Sequence, residues 1–192
     1  MSKVIVLLGV IWSLAVAWAV GAQQAHADGP LYTKGTNLVR PSAYREWIFL
    51  SSGIGMTYDP STRSPAAPQA FSNVFVNPSS YRSFMQTGKW PDKTIFVLEF
   101  RNSASEASIN QAGRFQTDIR RLEAEVKDSQ FPGGWGFFNF GTDETAEPLS
   151  GERVAPCIEC HSKHAAVEMT FVQFYPTLLE IARQKGTLKP GH

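Results

Sequence analysis

Two cysteines and a histidine near the C-terminus form the most chemically specific pattern in the sequence. Cys157 and Cys160 are the only cysteines of the 192-residue chain, and His161 follows them directly, which gives Cys157-Ile-Glu-Cys-His161. This spacing is the attachment pattern of c-type haem. Two thiols at this separation reach the vinyl groups on one edge of a porphyrin, and the adjacent imidazole reaches the iron. The sequence therefore predicts one haem c per chain, with His161 as the iron ligand.

Two other sites could use the same residues. A redox-active pair would need Cys157 and Cys160 alone, and a zinc site would add His161 and His164. The redox pair usually accompanies a βαβ pattern, which the sequence around the motif lacks. Neighbouring Cys160 and His161 are also poorly placed to bind one tetrahedral ion together. The pattern favours haem over both alternatives.

The second axial position decides between electron transfer and ligand chemistry. His164 lies one helical turn beyond His161, so we expect it on the same side of the ring. A methionine in an aromatic-rich core is more often a packing residue than a ligand. We therefore expect an open sixth position, and the side chains that could fill it instead are His164, His192, Met56, Met85 and Met169.

The overall charge argues against one class of partner. The chain has 18 Lys and Arg against 17 Asp and Glu, a net charge of +1. The pair Arg120 and Arg121 is isolated, so no stripe of basic residues could neutralise phosphates. We expect no nucleic-acid partner.

The N-terminus has the composition of a targeting segment. Lys3 precedes an apolar stretch from Val4 to about Gly21, and Ala25-His26-Ala27 fits a cleavage site. These features predict a secretory signal peptide over residues 1–27, a single domain over residues 28–192, and a periplasmic location. An uncleaved membrane anchor is the alternative.

The rest of the sequence favours a β-rich domain over a helical bundle. Aromatic residues beside β-branched ones predict strands at Phe71–Val76 and Trp135–Phe140. Thr94–Arg101 reads as a central strand, because both alternating faces are partly apolar. One face carries Phe96, Leu98 and Phe100, and the other carries Ile95, Val97 and Glu99.

The remaining segments are assigned more simply. We expect an arm over residues 28–42, an extended segment over Tyr44–Met56 and a loop over Pro60–Pro68. The pattern between Asp118 and Lys127 fits either a helix or a strand.

Two helices are predicted from their end signals. Asn77 can cap a helix that starts at Pro78 and ends at Gly88. Pro176 can open a final helix that runs to about Gln184, before Gly186.

Several phrases, in order along the chain and together with the haem motif, resemble the cytochrome P-460 family. The resemblance extends over nearly all of the mature chain. The phrases are Tyr44-Arg-Glu-Trp47, Phe75-Val-Asn-Pro78, Tyr81, Thr87-Gly-Lys-Trp-Pro-Asp92, Val126-Lys-Asp-Ser129, Gly134-Trp135 and Phe171-Val-Gln-Phe-Tyr-Pro176.

The resemblance implies an α+β fold, mostly antiparallel sheet with a few helices, with the haem near the C-terminal part of the chain. It also implies a homodimer with a five-coordinate haem bound by His161, and a choice between two subgroups. Members of the first oxidise hydroxylamine and have a lysine cross-linked to the haem edge, just before a glutamate. Cytochromes c′-beta lack this bond and bind small gases. Leu98 precedes Glu99 at the corresponding place here, and Lys89 and Lys93 lie outside it. The sequence is therefore closest to the c′-beta subgroup.

The resemblance also suggests which residues surround the open side of the iron. Leu98, with Phe96 or Phe100 and Phe71, would form an apolar cap. Such a pocket excludes water and offers anions no hydrogen-bond donors, so neutral NO or CO is favoured. Taken singly, each of these residues is more often simple core packing.

Glu152 lies nine residues before His161, where some of the enzymes have a carboxylate near the distal pocket. There it could relay protons if burial tuned its acidity, although a loop glutamate is more often solvated. The alternatives to gas binding are a hydroxylamine-oxidising or peroxide-reactive enzyme and a six-coordinate electron-transfer cytochrome with a redox partner.

Overall fold

The computed structural model describes residues 28–58 and 69–192. The predicted signal peptide over residues 1–27 and the predicted loop at Pro60–Pro68 lie outside the described residues. Two antiparallel sheets and three α-helices make up the described part, which confirms the α+β class. Within these ranges no helix has the length and apolar character needed to cross a bilayer.

The elements follow one another mostly as an antiparallel meander. The larger sheet has the order β3-β4-β5-β6-β7, and the smaller one has the order β1-β2-β8. The strands are β1 (Tyr32–Thr33), β2 (Asn37–Val39), β3 (Ile48–Ile54), β4 (Phe71–Val76), β5 (Thr94–Ala104), β6 (Phe115–Lys127), β7 (Trp135–Gly141) and β8 (Thr145–Ala146), and the helices are α1 (Pro78–Thr87), α2 (Ala155–His164) and α3 (Pro176–Lys185).

The predicted central strand, β5, is paired on both sides. Leu98 is opposite Val74 of β4 and Glu123 of β6. Side chains alternate between the two faces of a strand, so this register decides which residues share a face across the whole sheet. Phe96, Leu98 and Phe100 lie on one face, as the sequence predicted.

The segment that fitted either a helix or a strand is a strand, β6. Leu122, Ala124 and Val126 are buried on one face of it. The alternate residues are charged and lie on the opposite face of the sheet: Arg121, Glu123, Glu125 and Lys127. The helical interpretation is excluded because β6 pairs along its length with β5 and β7.

Each face of the large sheet is covered by a separate apolar core. The first core lies against the small sheet and comprises Leu38, Tyr44, Phe75, Ile95, Val97, Leu122, Ala124, Val126, Phe131, Phe138, Phe140 and Ala146. The second core lies against α1, α3 and the chain after α2, and comprises Val76, Phe84, Trp90, Phe96, Ala166, Val167, Val172, Tyr175, Leu178 and Ala182. The sheet is therefore a central layer with two buried faces.

The ends of α1 and α3 agree with the sequence, except for one cap. Gly88 and Gly186 follow the two helices with positive φ angles of 70° and 65°. Asn77 makes no side-chain cap, because its Oδ1 accepts a hydrogen bond from the backbone N–H of Ile95, at 2.9 Å. Asp28 instead accepts the backbone N–H of Ser79, at 2.7 Å.

The N-terminal part of the described chain is more regular than predicted. The expected arm contains β1 and β2, which pair with each other, and β2 also pairs with β8 to complete the small sheet. The expected extended segment begins with a 3-10 turn at Tyr44–Glu46 before β3. This turn brings Tyr44 and Arg45 over β5.

A buried carboxylate ties this turn to the large sheet. Glu99 is 1% exposed and accepts a hydrogen bond from the Tyr44 hydroxyl. Its oxygens also lie 2.5 Å from the Arg45 guanidinium and 3.0 Å from Nδ2 of Asn73. Burial, followed by the bond to Glu99, raises the pKa of Tyr44 to about 12. Arg101 Nε lies 3.1 Å away as well, so the 3-10 turn, β4 and β5 all depend on this one side chain.

Replacing Glu99 with alanine should lower the free energy of unfolding by about 3–5 kcal/mol, because the buried carboxylate is the shared acceptor of two arginines and of buried Tyr44 and Asn73. Urea unfolding of the haem-loaded protein measures the loss. Glu180→Ala is the control, because Glu180 makes an exposed ion pair with Arg183 and its loss should be undetectable. Equal midpoints for the two variants would contradict the role given to Glu99.

Candidate functional site

The helix α2 brings the three motif residues together. Pro156 lies in its first turn, where the missing N–H of proline costs no helical hydrogen bond. Positions i, i+3 and i+4 share one face of a helix, so Cys157, Cys160 and His161 point the same way. All three line one cavity of about 440 Å³ between α2 and the large sheet. Both thiols are free and partly buried.

His161 is held on the cavity wall by a hydrogen bond and two aromatic contacts. Its Nδ1 lies 2.7 Å from the carbonyl oxygen of Met169. A carbonyl can only accept, so Nδ1 carries the hydrogen and Nε2 has the free lone pair. The rings of Phe137 and Phe171 contact the imidazole edge-on, with centroids 4.9 and 4.6 Å away. The imidazole is therefore fixed in tautomer and orientation.

The Met169 carbonyl is itself positioned by a tightly bonded turn. The indole N–H of buried Trp90 donates to Oγ1 of Thr170 at 2.8 Å, and that hydroxyl donates to the Val167 carbonyl at 2.8 Å. Lys127 binds the Trp90 carbonyl oxygen at 2.7 Å and the Glu168 carboxylate at 2.5 Å. The turn after α2 is thus bonded both to the chain before β5 and to the end of β6.

Glu125 lies directly beside this histidine. Its Oε1 is 3.3 Å from Nδ1 of His161, and that oxygen is buried without a hydrogen-bond partner. Burial raises the pKa of the Glu125 carboxyl, and His161 opposes part of that rise. Burial acts to lower the pKa of His161, but Glu125 and the Met169 carbonyl outweigh it, so that the pKa is raised.

Three of the apolar residues singled out from the sequence form part of the cavity wall. Phe96, Leu98 and Phe100 follow one another at alternate positions of β5 and all line the cavity. Phe71 does not, because the cavity-facing residues of β4 are its neighbour Ser72 and Val74, and alternation turns Phe71 to the other face. Glu152 lies in an exposed 3-10 turn, Gly151–Arg153, away from the wall.

Three charged residues of the wall were not predicted from the sequence: Arg121, Glu123 and Glu125. The Arg121 guanidinium lies over the ring of Phe100, 3.7 Å from its centroid, and its Nε is 2.7 Å from Glu123. The expectation of a wholly apolar pocket without donors is therefore wrong for this cavity. These charged residues alternate along β6 with buried apolar residues, which would have predicted that they share a face. The signal could not be used, because the sequence pattern fitted a helix as well as a strand.

Met56 is the one candidate for the sixth iron position that lines the cavity. Its side chain packs over Gly53, where a Cβ would come within 2.2 Å of the Met56 sulfur. Met85 packs against the second core. His164 is exposed beside a separate cavity, and His192 is an exposed chain end.

Neither lysine near β5 reaches the cavity. Lys89 is exposed in the turn after α1. Lys93 Nζ lies 2.6 Å from the buried carboxylate of Asp128, the residue that follows β6. Both are outside the set of residues that line the wall.

The two alternative uses of the cysteines fit the structure less well. Over residues 28–58 and 69–192, no three or more His, Cys, Asp or Glu side chains are grouped to hold a metal ion, so the zinc set is not formed. Burial and then the charge of Glu123 raise the pKa of Cys157, whereas redox-active pairs have a lowered thiol pKa. The described strand pairs are all antiparallel, so the βαβ context is missing too.

The site fits an attached haem in size and in donor chemistry. Two thiols and an imidazole face one cavity from the same helix. Its volume of about 440 Å³ falls in the range of cofactor sites, roughly 300–1,000 Å³. Aromatic and aliphatic side chains form much of the wall, as suits a flat apolar macrocycle, and they include Phe96, Leu98 and Phe137.

Comparison with known families gives a match that covers most of the described chain. The family described as cytochrome P460 matches residues 41–172, more than half of the chain. This range runs from the turn before β3 to the turn that holds Met169, and it includes the cysteines and His161. No curated protein matches the chain.

Proposed function

The chain belongs to the cytochrome P460 family of haem cytochromes, and on this basis we propose that it is a mono-haem c protein that binds small neutral gases such as NO. One observation carries the proposal: His161 and both thiols face a cavity whose wall contains Leu98. Leu98 takes the place where the hydroxylamine-oxidising enzymes would have their cross-linking lysine. The haem, when bound, supplies an iron centre for the gas.

Cys157 and Cys160 are the residues that would hold the haem covalently, each through a thioether made by addition of its S–H across one vinyl group, with sulfur on one vinyl carbon and hydrogen on the other. His161 would hold the iron through Nε2, because its Nδ1 donates to the Met169 carbonyl. The aromatic contacts of Phe137 and Phe171 hold the imidazole in this orientation.

The far side of the cavity is assigned to ligand binding. His161 contacts Glu125, which is opposite Phe96. Leu98 lies one two-residue step further along β5, and Phe100 one step beyond it, about 7 Å per step. These two side chains cover the part of the cavity away from His161. Their apolar surface keeps water out and favours a neutral diatomic ligand.

Export and assembly are proposed from the sequence alone. Residues 1–27 would be a signal peptide that directs a single domain, residues 28–192, to the periplasm, where haem c is attached in bacteria. The homodimer is proposed from the family resemblance.

The hydroxylamine-oxidising or peroxide-reactive alternative has less support. A lysine bonded to the haem edge would have to come from Lys89 or Lys93, and neither lines the cavity. Intact mass with proteolytic mapping would reveal such a bond if it formed.

Removing both thiols should abolish covalent attachment. In Cys157→Ser/Cys160→Ser, haem should be lost on denaturing gels, whereas each single variant should keep one thioether and shift the absorption of the reduced protein. Haem staining and intact mass give the readout. His164→Gln is the control, because His164 is exposed and outside the cavity wall. Haem that survives denaturation of the double variant would exclude thioether attachment.

Shortening Leu98 should speed ligand entry. Leu98→Ala removes part of the proposed cap, so the association rate of NO or CO with the reduced protein should rise several-fold. Val97→Ala is the matched control, because Val97 is the adjacent residue on the opposite face and lies in the first core. Flash photolysis or stopped-flow mixing measures both rates. If both variants bound the gas equally faster, the cause would be a general loosening of β5, and the proposed role of Leu98 as a cap would be contradicted.

A six-coordinate electron-transfer cytochrome is the second candidate, because Met56 lines the cavity. Our proposal predicts a high-spin resting spectrum that changes on addition of NO and is the same in Met56→Leu. A low-spin resting spectrum without NO binding, converted to high-spin by Met56→Leu, would overturn the proposal in favour of methionine ligation. Optical spectra of the reduced protein, with and without NO, distinguish the two.

A further inference from the structure

Glu125 is an unusual residue for its position. It lies in the middle of the large sheet, opposite Phe96 on one side and Phe137 on the other. Its side chain is 14% exposed, and Oε1 is buried without a hydrogen bond. A carboxyl group in such surroundings is costly unless a polar partner compensates for the loss of water. The group it approaches is the N–H of His161, at 3.3 Å.

The other charged groups around Glu125 do not satisfy it. Lys127, on the same face of β6, is engaged by Glu168 and the Trp90 carbonyl oxygen. Glu168 is itself an acid and is paired with Lys127, so it gives Glu125 no counter-charge. The charged side chains on this face of β6 form a row, Arg121, Glu123, Glu125 and Lys127. At the other end of this charged row, Arg121 is bonded to Glu123. The position of Glu125 is therefore explained by His161 and not by a structural ion pair.

We propose that Glu125 is a positioning residue that strengthens His161 as an iron ligand. The Nδ1 hydrogen of His161 points to the Met169 carbonyl, and the Glu125 carboxylate adds negative charge beside the same atom. A carboxylate near the non-ligating nitrogen raises the basicity of a metal-bound imidazole and fixes its plane. Electron donation through Nε2 to iron then increases, which favours the oxidised state. This inference rests on the haem site proposed above.

The test compares two isosteric variants on one strand. Glu125→Gln removes the charge beside His161 while keeping the shape of the side chain. Glu123→Gln is the matched control. Glu123 lies on the same face of β6 and lines the same cavity, but it pairs with Arg121 and not with His161. The reduction potential and the iron–histidine stretching frequency of the reduced haem-loaded protein are measured, the latter by resonance Raman spectroscopy.

Glu125→Gln should lower the iron–histidine stretching frequency and make the reduction potential more positive. Glu123→Gln should leave the stretching frequency unchanged, even if loss of a nearby charge moves the potential. A wild-type frequency in Glu125→Gln, or equal frequency shifts in both variants, would overturn the proposal. A residue that only filled space would leave this vibration unchanged.

Two further measurements keep the inference separate from the proposed function. If the wild-type protein is six-coordinate, the Nδ1 proton resonance of the diamagnetic reduced protein replaces the Raman band, and it should shift in Glu125→Gln only. Wild-type protein without haem would instead refute the proposed function.

If Glu125→Gln does not fold, Glu125→Asp is measured in its place. This variant retains the charge but withdraws it from Nδ1, so it should give a smaller shift in the same direction. A wild-type value in Glu125→Asp would then count against the role.

Discussion

The hydrogen bond from Nδ1 of His161 to the Met169 carbonyl depends on the packing of the turn that follows α2. Trp90 and Thr170 fix that turn from the side of α1 and β5, and Lys127 fixes it from β6. Gln173 also bonds the Ala166 N–H and the His164 carbonyl, so the end of α2 belongs to the same unit. A short motif on a helix thereby receives a defined orientation from residues distant in sequence. The imidazole could not hold its plane by its helix alone.

Because side chains alternate along its strands, the large sheet has one face that packs in the first core and another that lines the cavity. Ile95 and Val97 face the first core, and Glu99 on that face ties down the Tyr44 turn. Phe96 and Leu98, their immediate neighbours, face the other way toward the second core and the cavity. One strand thus carries both the tightest polar network and part of the site wall. Because successive residues point in opposite directions, each face can vary with little effect on the other.

The features predicted correctly from the sequence are those set by local patterns. The helix ends at Gly88 and Gly186 follow from backbone geometry at single residues, and the two faces of β5 follow from a period of two. The β-rich character followed from aromatic and β-branched residues, and the antiparallel α+β class, which the family resemblance implied, is confirmed. The motif residues could be singled out because two thiols and an imidazole at this spacing make a local arrangement.

The features that sequence reasoning missed depend on long-range packing. Asn77 has a side chain that could cap α1, but its Oδ1 accepts the backbone N–H of Ile95 in β5 instead. Phe71 resembles its aromatic neighbours, and only the register of β4 shows that it faces away from the cavity. The role of β6 required knowledge of its partners, because ten residues of mixed pattern satisfied two periodicities.

The charged row of β6 changes the explanation for ligand selectivity without reversing it. Arg121 and Glu123 bond to each other, so their opposite charges largely cancel for a molecule in the cavity. Glu125 has no such cationic partner among the neighbours described, apart from its contact with His161. Its charge lies beside Nδ1 of His161, away from Leu98 and Phe100, so it acts on the histidine and not on the proposed ligand position. Under the proposed function, selection for a neutral ligand then comes from the apolar surface of Leu98 and Phe100, next to a charge pair whose opposite charges largely cancel.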